Sequence, residues 1–410
     1  MVSFEQLDAL PKSRLVDIVR ALGMSAGDYA RTPKAAFIGL ILSKDPAAVE
    51  QAMSAAPVAT APAVPAVAPQ LLSPVAVARP AKIVARKPAS EVFGIRGKAL
   101  QGIEVDVWDD ETAPEVDESY RLNPGQLRSF LTALNRDRPA WCYGPAGTGK
   151  TEFVKNVAAR LGRAFIRVQF DAGIEAYHVI GGERVRGGST VWQDGIVLQA
   201  MRRPGAIVLL DEVGFARSEY TSSLHAVLEP SGSVTIAETG EKVVKAPGVY
   251  FCAADNSNGR GDYSGAYVGV REINVAFCSR FGRFIEFGYP TRSEEVQIVM
   301  LRSGVSKPVA KLAVEFIALC RQKAKAAEIE IAPTLREAFY LAEALQDGVA
   351  PKDALAETIV NRAASDSQEV LRQLWQANVS DEMVERAVQG VEVSIGNLPP
   401  EEQYDTLAVE

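Results

Sequence analysis

The sequence predicts an α/β fold, a parallel β-sheet wrapped by helices, followed by a separate all-helical region. Three observations predict it. From Asn123 onward, apolar runs of strand length alternate with stretches whose apolar residues recur at helical spacing. One of the runs, GAIVLL, is apolar throughout, as a strand buried on both faces must be. Beyond Pro290 only the helical period remains, so the sheet ends there.

In chain order, residues 1–54 are expected to form a small helical module. In LPKSRLVDIVRALGM, Leu10, Leu15, Ile18, Val19 and Leu22 share one helical face, Gly23 stops that helix, and TPKAAFIGLIL begins a second. Residues 55–90 are Ala, Pro and Val with little else, ending in the sparse basic set Arg79, Lys82, Arg86 and Lys87. Proline at that density sustains neither a helix nor a ladder, and an extended linker is expected.

Residues 91–290 form the α/β body. Val105 to Trp108 reads as an edge strand, and the acids of VDVWDDETAPEVDES read as a solvated face rather than a cation site. LNPGQLRSFLTALN is a capped amphipathic helix, PAWCY a strand, KTEFVKNVAARL a helix, and AFIRVQF and GVYFCAADN are further strands. Two segments read as inserted hairpins: ERVRGGSTVWQDG, turning at Gly187-Gly188, and SVTIAETGEKVVKAPGVYF, turning at Thr239-Gly240. Residues 291–410 are helical and end in an acidic tail.

Composition narrows the function classes. With 410 residues, 47% of them hydrophobic, the chain can bury a full core and divides into two or three domains. A formal charge of -7 argues against wholesale coating of nucleic acid. No run of about eighteen apolar residues occurs, and MVSFEQLDALPKSR lacks the order of a secretory signal, so no membrane span and a cytoplasmic location are expected. The 4 cysteines are far apart without a CxxC and only 2 histidines accompany them, so neither a zinc site nor a disulfide framework is suggested.

The chemistry concentrates in GPAGTGKT, Gly144 to Thr151, which fits GxxxxGK[ST] and lies between a strand and a helix. In such a loop Gly144, Pro145, Ala146, Gly147, Thr148 and Gly149 turn backbone N–H groups toward phosphate oxygens. Lys150 reaches the outer phosphates, and Thr151 offers its hydroxyl to Mg²⁺ at a helix N-terminus. In AIVLLDEVGFA, Asp211 ends a central strand where it can hold Mg²⁺ through water, and Glu212 can polarise an attacking water, the mark of an NTPase that hydrolyses. Asn256, at the tip of GVYFCAADN, can orient the same water from the opposite side, although asparagine before SNGRGD is also a natural turn former.

The series GPAGTGKT, LLDEVG, AADN and AFCSRFGRFIEFGYP resembles an AAA+ ATPase of the branch containing MoxR proteins, CobS and the CbbQ/NorQ activators. GGSTVWQDGIVLQAMRRPGAIVLLDE and GRGDYSGAYVGVREINVAFCSRF are particularly similar to the CobS group. The resemblance spans roughly 123–364 and implies a P-loop NTPase core with a C-terminal helical lid. It implies ATP with Mg²⁺ as cofactors and a homo-oligomeric ring, hexameric in this branch. It also makes Arg280 the arginine finger that reaches a neighbouring subunit's nucleotide. Ser279 stands where the family has aspartate, which keeps Arg283 as the alternative finger. In APTLREAFYLAEALQDG, Arg336 matches the sensor-2 arginine. The two hairpins match insertions that line or cap the ring, so Arg184, Arg186 and Trp192 either face a substrate or brace the subunit interface.

The resemblance further implies remodelling or activation of a protein partner, with a von Willebrand A-domain protein as the expected companion, or a cobaltochelatase CobS-type role. A DNA-associated motor is the opposing class. Its basis is that residues 1–54 resemble a SAP or Rho-N-terminal module. That module carries Glu5, Asp8, Asp17 and Asp28 against Lys12, Arg14, Arg20, Arg31 and Lys34, a balance that weakens phosphate neutralisation and favours protein docking.

Overall fold

The computed structural model describes residues 81–400 except 172, 187–188, 217–223, 231, 262–271, 331 and 397, together with Leu7, Ile18, Ile38, Ile41, Leu42 and Val49. The chain divides into two compact units, Met1–Val77 and Ala78–Glu410. In the first, those six residues are helical and all but Leu42 are buried. The rest of the expected 1–54 module and the linker before Ala81 lie outside the described residues, as does the end of the acidic tail.

The second unit opens with a two-stranded sheet. Strand β1 (Lys82–Pro88) runs antiparallel to β2 (Glu104–Asp109), with the short helix α1 (Ala89–Phe93) between them. This corrects two expectations: the extended linker does not continue to Ser90, and β2 edges a small sheet of its own. Pro80 and Pro88 bracket a proline-free stretch in which Ile83 and Val84 favour a strand, and Arg86 pairs with Glu104 at 3.1 Å across the ladder.

Along the chain follow β3 (Ala140–Tyr143), β4 (Phe165–Gln169), the hairpin of β5 (Gly181–Arg186) and β6 (Ser189–Asp194), and β7 (Ile207–Asp211). Then come the hairpin of β8 (Ser233–Thr235) and β9 (Lys242–Val244), β10 (Tyr250–Asp255) and β11 (Arg283–Glu286). Interleaved are α2 (Pro124–Asn135), α3 (Lys150–Arg160), α4 (Ala176–Val179), α5 (Ile196–Met201) and α6 (Val275–Cys278). Five strands pair in parallel in the order β11-β3-β10-β7-β4.

Strands β7 and β10 are buried at every residue because both sheet faces are covered. Val208, Leu210, Phe251 and Ala253 pack with Val197 and Met201 on one face. Ile207, Leu209, Tyr250 and Cys252 pack with Leu127, Phe130 and Phe153 on the other. Phe130 meets Phe153 and Tyr250 edge-on at 5.4 and 5.6 Å. Helix α2 starts where expected: Asn123 Oδ1 accepts from the N–H groups of Gly125 and Gln126, and Pro124 holds the first turn.

Helices α7 (Arg292–Ser303), α8 (Lys307–Lys325), α9 (Leu335–Gln346), α10 (Pro351–Thr358), α11 (Ser365–Asn378) and α12 (Asp381–Val388) make the C-terminal region around their own core. Thr291 with Glu294 and Thr334 with Glu337 form capping boxes at α7 and α9. Arg302 bonds Asp117 at 2.7 Å, tying α7 to the α/β body. No helix among the described residues is long and apolar enough to cross a membrane.

Trp108 fastens β2 to the body. Its N–H donates to Leu161 O at 2.8 Å, and the Arg163 guanidinium lies 5.6 Å from its ring centroid while donating to Gly205 O and Gly248 O. The ring fits only because two facing residues lack a side chain. A Cβ at Gly205 would come within 2.5 Å of the ring, and one at Gly248 within 2.4 Å. Gly248→Ala is therefore expected to cost about 2–3 kcal/mol from overpacking and a left-handed φ. Urea unfolding with an unchanged m-value checks it; a loss under about 0.5 kcal/mol contradicts this packing.

Candidate functional site

The C-terminal ends of β3, β7 and β10 meet at the glycine-rich loop. Between Tyr143 and Lys150 the chain takes φ of +141° at Gly144, +76° at Gly147 and +84° at Gly149, conformations that side chains resist. Space excludes them too. A Cβ on Gly144 would lie 2.0 Å from Phe287 O, and one on Gly147 2.6 Å from Thr334 Cβ. The loop is thus seated between the exit of β11 and the cap of α9. Tyr120 supports it from another side, donating its hydroxyl to Gly149 O at 3.1 Å, and Thr148 Oγ1 donates to Pro145 O at 2.9 Å.

Lys150 opens α3 and folds over the loop. Its Nζ donates to Gly144 O at 2.7 Å, Pro145 O at 2.8 Å and Asn256 Oδ1 at 3.1 Å. The lysine is 8% exposed, and burial lowers its pKa to about 8 against the pull of Asp255 and Asp211. Thr151 Oγ1 donates to Asp211 Oδ2 at 2.9 Å, and Arg167 Nε donates to the same oxygen at 2.6 Å. Asp211 Oδ1 accepts from the Glu212 N–H at 3.1 Å.

Glu212 has a left-handed backbone, φ +56°, which turns the chain sharply off the strand. Its Oε2 accepts from Gln169 Nε2 at 2.9 Å. Asp255, 2% exposed, clips the next strand end in place: Oδ1 accepts from the Gly214 N–H at 3.2 Å, and Oδ2 from Ser257 N–H and Oγ–H at 3.1 and 2.7 Å. Burial pushes its carboxyl up, opposed by those bonds. Asn256 is presented to Lys150 by this clip.

The structure therefore gathers Gly144 to Thr151, Asp211, Glu212 and Asn256. Arg336 sits nearby in the second turn-forming position of α9, its N–H donating to Thr334 Oγ1 at 3.2 Å while Thr334 touches Gly147. Arg321 steadies that cap, with Nε donating to Pro333 O at 3.2 Å, Nη1 bonding Glu295 at 2.8 and 3.0 Å, and its guanidinium 3.7 Å from the Tyr289 ring centroid.

Arg280 and Arg283 are not brought to this loop. Arg283 pairs with Ala140 at the opposite end of β3, about 10 Å along the strand. Arg280 donates to Ala276 O at 2.9 Å and lies 3.3 Å from Glu229 Oε1. On the first hairpin, Arg184 stacks on Tyr177 at 4.3 Å and Trp192 Nε1 donates to Asp194 Oδ1 at 2.8 Å, while the Arg186 side chain lies outside the described residues.

Sequence reasoning missed Arg167, Gln169, Tyr120 and Thr334. For the first two a signal exists: AFIRVQF puts polar residues at alternate positions of an otherwise apolar strand, hence on one face. Tyr120 and Thr334 approach the loop from distant sequence and carry no local mark.

The arrangement suits a phosphate chain with a hard cation. Positive-φ glycines form a cradle that a Cβ would fill, Lys150 supplies a mobile ammonium, and Thr151 Oγ1 with Asp211 Oδ2 offers oxygen donors of the kind Mg²⁺ takes beside phosphates and waters.

Comparison with known proteins bears on this site. Residues 142–281 match the AAA domain family of the dynein-related subfamily. The chain is 35% identical over 193 residues to protein NorQ of Paracoccus denitrificans, covering 47% of this chain and 68% of that protein. It is 26% identical to the denitrification regulatory protein NirQ of Pseudomonas aeruginosa, covering 60% and 91% of the two chains. With the aerobic cobaltochelatase subunit CobS of a Sinorhizobium species it shares 29% identity, covering 46% and 58%.

Proposed function

The chain belongs to the AAA+ ATPases of the dynein-related, MoxR- and CobS-like branch, and on that premise we propose that it uses ATP hydrolysis to remodel or activate a protein partner. The observation that carries the hydrolytic half is the convergence of Lys150, Thr151, Asp211, Glu212 and Asn256 at adjacent strand ends. Lys150 exchanges its loop carbonyl partners for the outer phosphates of ATP. Thr151 and Asp211 would hold Mg²⁺, which would supply charge neutralisation to the transferring phosphoryl group. Glu212 polarises the attacking water and Asn256 orients it from the other side. Arg336, carried by the helix whose cap touches Gly147, reaches the γ-phosphate from within the subunit. Arg280 completes a neighbour's site in a homo-oligomeric ring, which we take to be hexameric.

The partner half draws on the relatives. Relatives are named as a denitrification regulatory protein and as a subunit of a cobaltochelatase, and a subunit works within an assembly of proteins. A von Willebrand A-domain protein is the proposed companion.

The test is capture from the native host with a tagged chain carrying Glu212→Gln, in ATP and in ADP. A protein enriched in ATP, which then stimulates hydrolysis by the unmodified chain, is the expected result. Recovery of DNA in place of protein, with binding that falls steeply with salt and is lost when residues 1–54 are removed, would replace this reading with a DNA-associated motor.

A further inference from the structure

We propose that Arg167 is a displaceable counter-ion for Asp211: its guanidinium and Mg²⁺ compete for one carboxylate oxygen, so that metal loading releases the arginine. The inference rests on the reading above that Thr151 and Asp211 hold the metal.

Strand β4 is the edge of the central sheet and has β7 as its neighbour, with Arg167 opposite Leu209 and Gln169 opposite Asp211. Arg167 and Gln169 project from the same face, and each engages one of the two consecutive acids at the end of β7. The geometry at Asp211 is crowded. Oδ2 accepts from Thr151 Oγ1 at 2.9 Å and from Arg167 Nε at 2.6 Å, while Oδ1 accepts from the Glu212 N–H at 3.1 Å. A carboxylate oxygen offers two lone pairs, and both of those on Oδ2 are engaged.

A metal or bound water that takes Oδ2, the oxygen beside the Thr151 hydroxyl, therefore needs one partner to leave. Thr151 stays, because its hydroxyl is itself a metal donor. The guanidinium goes, because two cations on one oxygen repel. Burial makes the exchange practicable: the Asp211 side chain is 6% exposed and fixed, whereas that of Arg167 is 42% exposed and has solvent to swing into. While it is bound, the arginine spares the protein an unpaired buried carboxylate.

The test compares unmodified full-length protein with Arg167→Gln and Arg167→Met, which keeps the aliphatic stem. Thermal unfolding is followed in EDTA without nucleotide, and then in ADP against increasing MgCl₂. The variants are expected to melt about 2–4 °C lower in EDTA, to lose that deficit at saturating Mg²⁺ and ADP, and to half-saturate at about three- to tenfold lower MgCl₂. In the unmodified protein the Arg167 Nε–H resonance, assigned by its loss in Arg167→Lys, should be protected from solvent exchange in EDTA and exchange freely with Mg²⁺ and ADP. Protection in both conditions overturns the proposal even if the Gln and Met variants fail to fold. So does an unchanged MgCl₂ midpoint, or a melting deficit that persists at saturation, either of which leaves an ordinary ion pair. If the unmodified protein itself shows no Mg²⁺ dependence, the metal-site reading falls and this inference falls with it.

Discussion

Arg280→Ala is expected to lower steady-state ATP hydrolysis by roughly 10³- to 10⁵-fold, the range an arginine finger supplies in related NTPases, while ATP binding is kept. On the proposed role, the position of the arginine calls for a second copy. It sits on the α6 side of the sheet end opposite the glycine loop, bonded to Ala276 O and facing Glu229. Its side-chain contacts are with Ala276 O and Glu229, away from its own subunit's loop residues. Lys150→Ala should also be inactive, for the different reason that it lacks a competent loop yet keeps its arginine. When the two proteins exchange subunits, an Arg280→Ala loop can meet the arginine of a Lys150→Ala neighbour, and some hydrolysis should return. If tagged co-purification shows mixed rings and hydrolysis stays at background, Arg280 does not act across subunits and Arg283 becomes the residue to test.

Glu212→Gln should retain nucleotide affinity and lose about 10²- to 10⁴-fold in turnover, the contribution of a positioned general base. The substitution is nearly isosteric, tolerates the same positive φ no worse than glutamate does, and leaves an amide oxygen that can accept from Gln169 Nε2. What it removes is the capacity to take charge from water. Single-turnover hydrolysis with parallel nucleotide titration separates these effects; a rate within tenfold of the unmodified protein rules Glu212 out as the base.

Much of the fold was legible because its signals are local. The apolar run of β7 and β10, the Asn123-Pro124 cap and the glycines of Gly144 to Gly149 are each written within a few consecutive residues. Strand β1 was hidden by the same locality: a composition of Ala, Pro and Val averaged over 55–90 masks the proline-free stretch that pairs with β2. Arg167, Tyr120 and Thr334 were illegible for another reason. Their relation to the loop depends on strand order and on how α9 docks, and neither is fixed by spacing along the chain.

The anchoring of Trp108 has a mechanical consequence. In the β1–β2 ladder Lys82 pairs with Asp109 and Ile83 with Trp108, so the strand that receives the chain from residues 1–80 meets its partner at the very end where that partner is riveted into the body. A load drawn on Ala81 against the body parts the two strands from that end, one pair after another, instead of shearing all pairs together. Such a ladder yields progressively under low tension. Force applied at Ala81 would open the β1–β2 ladder before it reached the central sheet that carries Asp211.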